Sequence, residues 1–102
     1  MTATDIANLL IDRNPRLCKD RVLSRQLAAD TLFPVLPESG DLKELGKNPR
    51  EIRHELEHRV EASEPMMSAI ALSLLLILIE VLIKWWLANR KTATAALRGL
   101  RA

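Results

Sequence analysis

Apolar residues in the first third of the chain recur at helical spacing and predict two helices. Ile6, Leu9 and Leu10 lie three and four positions apart, on one face of a helix over about residues 4–13, and the Asn-Pro pair that follows ends it. A looser apolar stripe predicts a second helix over about residues 16–32. Both helices are amphipathic, so each needs a surface on which to bury its apolar face.

The third predicted helix, over about residues 49–62, is mostly charged and has only a narrow apolar stripe. Ile52, Leu56 and Val60 are four positions apart and form that stripe. Phe33 lies in an apolar connector bracketed by prolines, which is typical of a segment packed against another surface. A narrow stripe suits a helix that lies on one partner, so we predict that these four residues dock on a partner protein.

The apolar run that begins at Met66 shows no alternation with polar residues and predicts a transmembrane helix. Residues 66–79 carry no charge, and further apolar residues follow Glu80. A helix from Met66 to Ile83 is about 27 Å long, close to the hydrocarbon thickness of a bilayer. A small water-soluble domain could not easily bury a helix that is apolar on all sides. We therefore predict a single transmembrane helix over residues 65–88.

Small and charged residues within this span predict packing against other helices. Ser68, Ala69 and Ser73 lie in its first half and allow two helix backbones to approach closely. Glu80 is costly in a bilayer unless it is paired, protonated or turned toward protein, and Lys84 lies one turn further on the same helix face. Three interpretations of Glu80 stay open: a local pair with Lys84, a contact with a polar group on a neighbouring helix, and a proton or ion relay.

Basic and aromatic residues at the end of the span predict a membrane interface. Lys84, Trp85 and Trp86 have the long or amphipathic side chains that are common at the level of the headgroups. Arg90 and Lys91 open a basic tail that suits anionic lipid headgroups. The orientation stays open. The basic tail favours a cytoplasmic C-terminus, whereas a polar head followed by a late span is typical of an anchor with a cytoplasmic head.

Composition and charge divide the 102 residues into a polar head, an apolar span and a basic tail. Residues 1–65 hold ten Lys or Arg and twelve Asp or Glu, whereas the tail, residues 89–102, holds four Lys or Arg and no acid. Helix formers dominate, with one Phe and no Tyr, so we predict an all-α chain with a helical head over residues 1–64. The single cysteine, Cys18, excludes an internal disulfide and is expected to be a small buried side chain. Four bases without an aromatic residue in the tail give no reason to expect nucleic-acid binding.

One motif in the third helix has the residue types and spacing of a metal-binding site. The run from His54 to His58, His-Glu-Leu-Glu-His, matches H-E-x-x-H, in which two histidines one turn apart bind zinc and the glutamate activates a metal-bound water. In this motif the chain resembles zinc metallopeptidases, and the resemblance implies a third ligand, for which Glu64 has the spacing found in one subfamily. Charged residues beside the histidines, and Glu61 where that subfamily has a turning glycine, depart from the pattern. We therefore expect no catalytic residue, metal or cofactor, and keep His54, His58 and Glu64 as the alternative ligand set.

Together these features predict a small non-catalytic, single-pass membrane protein that acts as an accessory, assembly or anchoring subunit of a larger membrane complex. The expected location is a bacterial inner membrane or its equivalent. The expected partners are the lipid bilayer and other membrane subunits, in a hetero- or homo-oligomer. Two alternatives stay open: a membrane-anchored, zinc-dependent metallopeptidase fragment, and a small self-assembling membrane protein of the phage type.

Overall fold

Five α-helices joined by shorter helical turns form the structure, a computed structural model that describes residues 1–63 and 68–101. The prediction of an all-α chain is confirmed for these residues. The α-helices are α1 (Ala3–Asp12), α2 (Arg21–Leu27), α3 (Pro49–Ser63), α4 (Ala69–Ala88) and α5 (Arg90–Arg101). Shorter helical turns cover Pro15–Asp20, Ala28–Leu32, Phe33–Val35 and Leu42–Leu45. The molecule measures 31 × 25 × 24 Å along its principal axes.

Side chains that cap the free backbone N–H groups fix where the helices begin. The Thr2 hydroxyl oxygen accepts a hydrogen bond from the Asp5 backbone N–H, and the Asp5 carboxylate accepts one from the Thr2 backbone N–H. The latter bond holds the pKa of Asp5 below its ordinary value of 3.8, because it favours the charged carboxylate. Asn48 caps α3 through the Glu51 N–H, and Ser68 caps α4. Local sequence therefore determines these three helix starts.

Helix α4 lies at the centre of the fold and contacts all four other helices. The leucines at 75, 78 and 82 have no exposed surface, and Leu10 of α1 and Leu56 of α3, which belong to the same core, are also fully buried. The sequence predicted a polar head followed by a separate apolar span. In the structure the head helices instead pack on α4, because their apolar stripes and its apolar surface remove each other from water.

The length and composition of α4 are those of a membrane-spanning helix, and it is the one such helix among residues 1–63 and 68–101. About half of it is buried inside the bundle. A buried central helix of a folded domain can have the same length and apolar character, because neighbouring helices and lipid tails both remove apolar side chains from water. The transmembrane helix predicted over residues 65–88 stays a prediction, and residues 65–67 of it lie outside the described residues.

Helix α5 turns back at Asn89 and packs its apolar face on the bundle. Ala93 and Leu97 have no exposed surface, and Ala96 is also buried. Gly40, at φ +74°, lies directly against the α5 backbone, where a Cβ atom at this position would stand 2.3 Å from the Thr94 carbonyl oxygen. The positive φ and this close approach both require glycine at position 40.

The region predicted as one helix over residues 16–32 is divided in the structure. A tight helical turn covers Pro15–Asp20, α2 follows, and a wider helical turn over Ala28–Leu32 leads into Phe33–Val35. Cys18, expected to be buried, is exposed. Val22, an apolar residue of the looser stripe over residues 16–32, is 71% exposed. That stripe assumed one α-helical pitch over residues 16–32, whereas the turns before and after α2 have a different pitch, so the apolar residues do not keep to one face.

Candidate functional site

The side of α4 that the bundle leaves uncovered is the most distinctive surface of the described chain. Residues three and four positions apart share one side of a helix. We define the α4 outer face by the residues on that side: Ala69, Ile70, Ser73, Leu76, Ile77, Glu80, Lys84 and Leu87. Ile70 is 71% exposed and Leu87 is 43% exposed, although both belong to the helix that forms the core. This face therefore combines large apolar side chains with charges.

An ion pair lies in the second half of the α4 outer face. The Lys84 Nζ atom is 3.1 Å from the Glu80 Oε1 atom, with the two side chains 75% and 44% exposed. The local Glu80–Lys84 pair, one of the three interpretations of Glu80, is thus present. Because both groups are in contact with water, the pair contributes little to the stability of the helix. Its two charges remain accessible to an approaching surface.

The four residues predicted to pack against other helices all lie at the surface of α4. Ser68, Ala69 and Ser73 are exposed, and Glu80 is half-buried. The Ser68 hydroxyl oxygen accepts a hydrogen bond from the Ala71 N–H, so this side chain also caps the helix. The described fold leaves the group uncovered, and its packing against a second chain stays a prediction.

A shallow groove borders the α4 outer face where it meets the start of α3. It has a volume of about 410 Å³ and is lined by Pro49, Arg50, Arg53, Glu80, Ile83, Lys84 and Leu87. Its floor is apolar, and the two arginines stand along its α3 side. Such a groove suits an apolar side chain with an acidic neighbour.

The residues predicted to dock on a partner protein are covered within the chain itself. Leu56 and Val60 have no exposed surface, Ile52 is 2% exposed and Phe33 is 4% exposed. All four belong to the same buried core as α4. In this fold they are not available to another protein, because the narrow stripe of α3 lies on α4 and its neighbours. The docking of these four residues on a separate protein therefore stays a prediction.

The residues predicted to lie at a membrane interface are divided between the core and the surface. Trp85 is 3% exposed and Trp86 is 1% exposed, so neither indole reaches the solvent. Lys84, Arg90 and Lys91 are exposed. The Arg90 guanidinium lies over the Trp86 ring, 4.8 Å from its centroid. The tryptophans therefore join α4 to its neighbours in the described fold.

The histidine motif occupies the exposed side of α3. His54 and His58 are both exposed. Glu55, the glutamate that follows the first histidine, forms an ion pair with Arg59, with 3.1 Å between Oε1 and Nε. Arg59 also donates a hydrogen bond to the Val35 carbonyl oxygen. Within the part of the chain that the structure describes, no three His, Cys, Asp or Glu side chains are grouped to hold a metal ion. Glu64, the predicted third ligand, lies outside the described residues.

The sequence reasoning missed Ile70, Ile77 and Leu87 as surface residues. All three lie in or beside a nearly continuous apolar run, where one leucine or isoleucine cannot be distinguished from the next by hydropathy. A usable signal was the position of Glu80 and Lys84, the two charges within the helix, because they mark which side faces water. Ile77, three positions before Glu80, and Leu87, three positions after Lys84, lie on that side, and Ile70 lies two turns before Ile77.

Comparison of the chain with protein-family models, with curated proteins and with solved structures gave no match.

Proposed function

We propose that this chain is a non-catalytic accessory or assembly subunit that binds a partner protein through the α4 outer face. One observation carries the proposal. The helix that forms the core of the bundle also leaves Ile70 and Leu87 exposed at 71% and 43%, on the same side as an ion pair. The helices around it cover the rest of its apolar surface.

The chemistry of the α4 outer face supports binding. Exposed apolar side chains grouped on one surface gain free energy when a partner removes them from water. Glu80 and Lys84 add charges that select orientation and partner more than they add affinity. The neighbouring groove supplies a concave surface beside Leu87, as interfaces with protein partners commonly do.

The test compares two leucine-to-serine changes at nearly equally exposed positions. The full chain carries Leu87→Ser in one variant and Leu23→Ser in the other, since the wild-type side chains are 43% and 41% exposed. Leu23 lies on α2, outside the α4 outer face, so it controls for the loss of an exposed apolar side chain. Each tagged variant is expressed in its native host, cross-linked in the cell and purified, and its cross-linked partners are measured.

We expect Leu87→Ser to reduce cross-linking to every specific partner by about tenfold, the effect of losing one well-packed apolar contact. Leu23→Ser is expected to leave the yield unchanged. Equal yields from wild type and both variants would contradict the proposal. Circular dichroism of each variant shows that the helical fold is retained.

A membrane anchor is the second candidate function, and the observation that favours it is the 20-residue apolar length of α4. Spanning a bilayer would require α4 to leave the bundle, because α1, α2 and α3 present charged side chains on their outer sides. The separation would uncover Leu10 and Leu56, which α4 helps to bury. Their exposure to water costs about 1.5–3 kcal/mol for each side chain. Resistance of the cellular protein to extraction from membranes at alkaline pH tests this candidate.

A further inference from the structure

We propose that the partner of the α4 outer face is a second copy of this chain, docked antiparallel so that Glu80 of each copy faces Lys84 of the other. The inference rests on the proposed function, because it uses the same surface. It adds the identity of the partner and the register of the contact. The result is a homodimer with two-fold symmetry, whose axis passes α4 midway between the two charges.

The order of residues along the face is self-complementary. Ile77, Glu80, Lys84 and Leu87 are separated by three, four and three positions. Read from the other end, the same spacing gives apolar, charged, charged, apolar with the two signs exchanged. A two-fold axis between the charges therefore sets each carboxylate opposite an ammonium group and each isoleucine opposite a leucine. An isologous interface requires this kind of self-matching pattern.

Other arrangements of two α4 helices are less favourable. A parallel pair in register sets Glu80 against Glu80 and Lys84 against Lys84, which repel each other. An antiparallel pair shifted by two turns sets Glu80 against Ile77 and Lys84 against Ser73, so both charges lose water without gaining a partner. The order of residues along the face therefore favours one register, because the other two arrangements bring like charges together or leave charges without a partner.

The side chains are already placed for this contact. The Glu80–Lys84 pair within one helix, at 3.1 Å, presents both groups to solvent with 44% and 75% exposure. A second copy would complete a ring of four alternating charges. Beside it, the groove of about 410 Å³ between Leu87 and the start of α3 receives the partner's Ile77. Apolar contacts then flank the charges on both sides, which limits their screening by water.

The experiment reverses the two charges separately and together in the full chain. Glu80→Lys gives a face with two positive charges, and Lys84→Glu gives one with two negative charges. Sedimentation velocity over a concentration series measures the dimer fraction of each variant. The expected result is a dimer for the wild type and at least a tenfold higher dissociation constant for each single variant, because like charges then meet twice in every dimer.

Two recombinations identify the register. An equal mixture of the Glu80→Lys and Lys84→Glu chains is expected to form a heterodimer, since every positive charge then faces a negative one. The double variant Glu80→Lys/Lys84→Glu is expected to form a homodimer again, because it exchanges both signs. This recovery also shows that the substituted chains fold. Only an antiparallel contact between positions 80 and 84 predicts both recoveries.

Two matched controls separate the face from general surface effects. Asp12 and Arg21 form another exposed ion pair, at 3.0 Å, and exchanging them by Asp12→Arg/Arg21→Asp is expected to leave the dimer unchanged. Leu87→Ser and Leu23→Ser remove leucines that are 43% and 41% exposed, and only the first is expected to weaken dimerisation.

A wild type that stays monomeric at every concentration would overturn the homodimer. A dimer whose dissociation constant does not change with the charge reversals would overturn it as well. In either case the proposed function survives if Leu87→Ser still reduces cross-linking to a different protein in cells. If Leu87→Ser also leaves cross-linking unchanged, the α4 outer face is not a binding surface and both proposals fail.

Discussion

The Trp86 indole Nε1 donates a hydrogen bond to the Thr94 hydroxyl oxygen at 3.1 Å, joining the last turns of α4 to the middle of α5. The tryptophan is 1% exposed, so its polar N–H has found a partner inside the protein rather than at a membrane surface. The Arg90 guanidinium lies over the same ring, 4.8 Å from its centroid. This contact explains how a basic tail can form part of a folded bundle.

Removal of the Thr94 hydroxyl should weaken the fold measurably. Thr94→Val keeps the shape of the side chain but leaves the Trp86 N–H unpaired in a buried position, which costs about 1–3 kcal/mol of the free energy of unfolding. The measurement is urea unfolding of the full chain. Thr92→Val is the control, because Thr92 is exposed on the same helix. Equal stability of the two variants would contradict the contact.

Two glycines should respond to alanine in opposite directions. Gly40→Ala must adopt φ +74° and place its Cβ atom 2.3 Å from the Thr94 carbonyl oxygen, so a loss of about 2 kcal/mol or more is expected. Gly99 has no atom near an added Cβ and lies within α5. Gly99→Ala should therefore raise the free energy of unfolding by up to about 1 kcal/mol. Thermal unfolding of both variants checks the pair, and a stabilising Gly40→Ala would refute the packing of this turn on α5.

Truncation of Leu56 distinguishes an internal core from a docking stripe. Leu56 has no exposed surface, so Leu56→Ala should cost the isolated chain about 2–5 kcal/mol of unfolding free energy. Val22→Ala, at a position that is 71% exposed, should change it by less than about 0.5 kcal/mol. Chemical unfolding without any partner protein gives both values. If the α3 stripe served only to bind another protein, Leu56→Ala would change the free energy of unfolding of the isolated chain as little as Val22→Ala does.

Zinc should have no specific effect on this chain. His54 and His58 are exposed, and Glu55 is paired with Arg59 at 3.1 Å instead of being free to activate a water molecule. Two imidazoles in contact with water lack the closed set of ligands that structural and catalytic zinc sites use. We expect an unchanged melting temperature on addition of zinc, for wild type and for His54→Ala/His58→Ala alike. One tightly bound zinc per chain, lost in the double variant, would instead support the peptidase alternative.

Local features of the structure could be predicted from the sequence. The third helix was predicted over about residues 49–62, and α3 begins at Pro49, directly after the Asn48 cap. The apolar helix was predicted to end at residue 88, before the basic tail, and α4 ends at Ala88. Caps and helix-ending residues act within a few positions of each other, so a single sequence is enough to show their effect.

The sequence did not show which surface covers each apolar face. The stripe of Ile52, Leu56 and Val60 shows that α3 buries one side, but another protein, a lipid surface and α4 would all satisfy it equally. The same ambiguity affects Trp85 and Trp86, which suit a membrane interface and a protein core alike. Only the packing of distant segments, which the periodicity of one helix does not encode, resolves these cases.

In this structure α4 forms the core of a folded helical bundle and leaves one side exposed. Trp85 and Trp86 are the chain's two tryptophans, and both are buried. Their fluorescence in the detergent-free chain, titrated with vesicles whose acyl chains carry bromine as a quencher, tests this packing. If α4 is the core of the bundle, the emission is typical of buried indoles, the vesicles leave it unquenched, and urea shifts it in one cooperative step. Strong quenching by the bromolipid, with no cooperative transition in its absence, would show instead that α4 is a membrane helix.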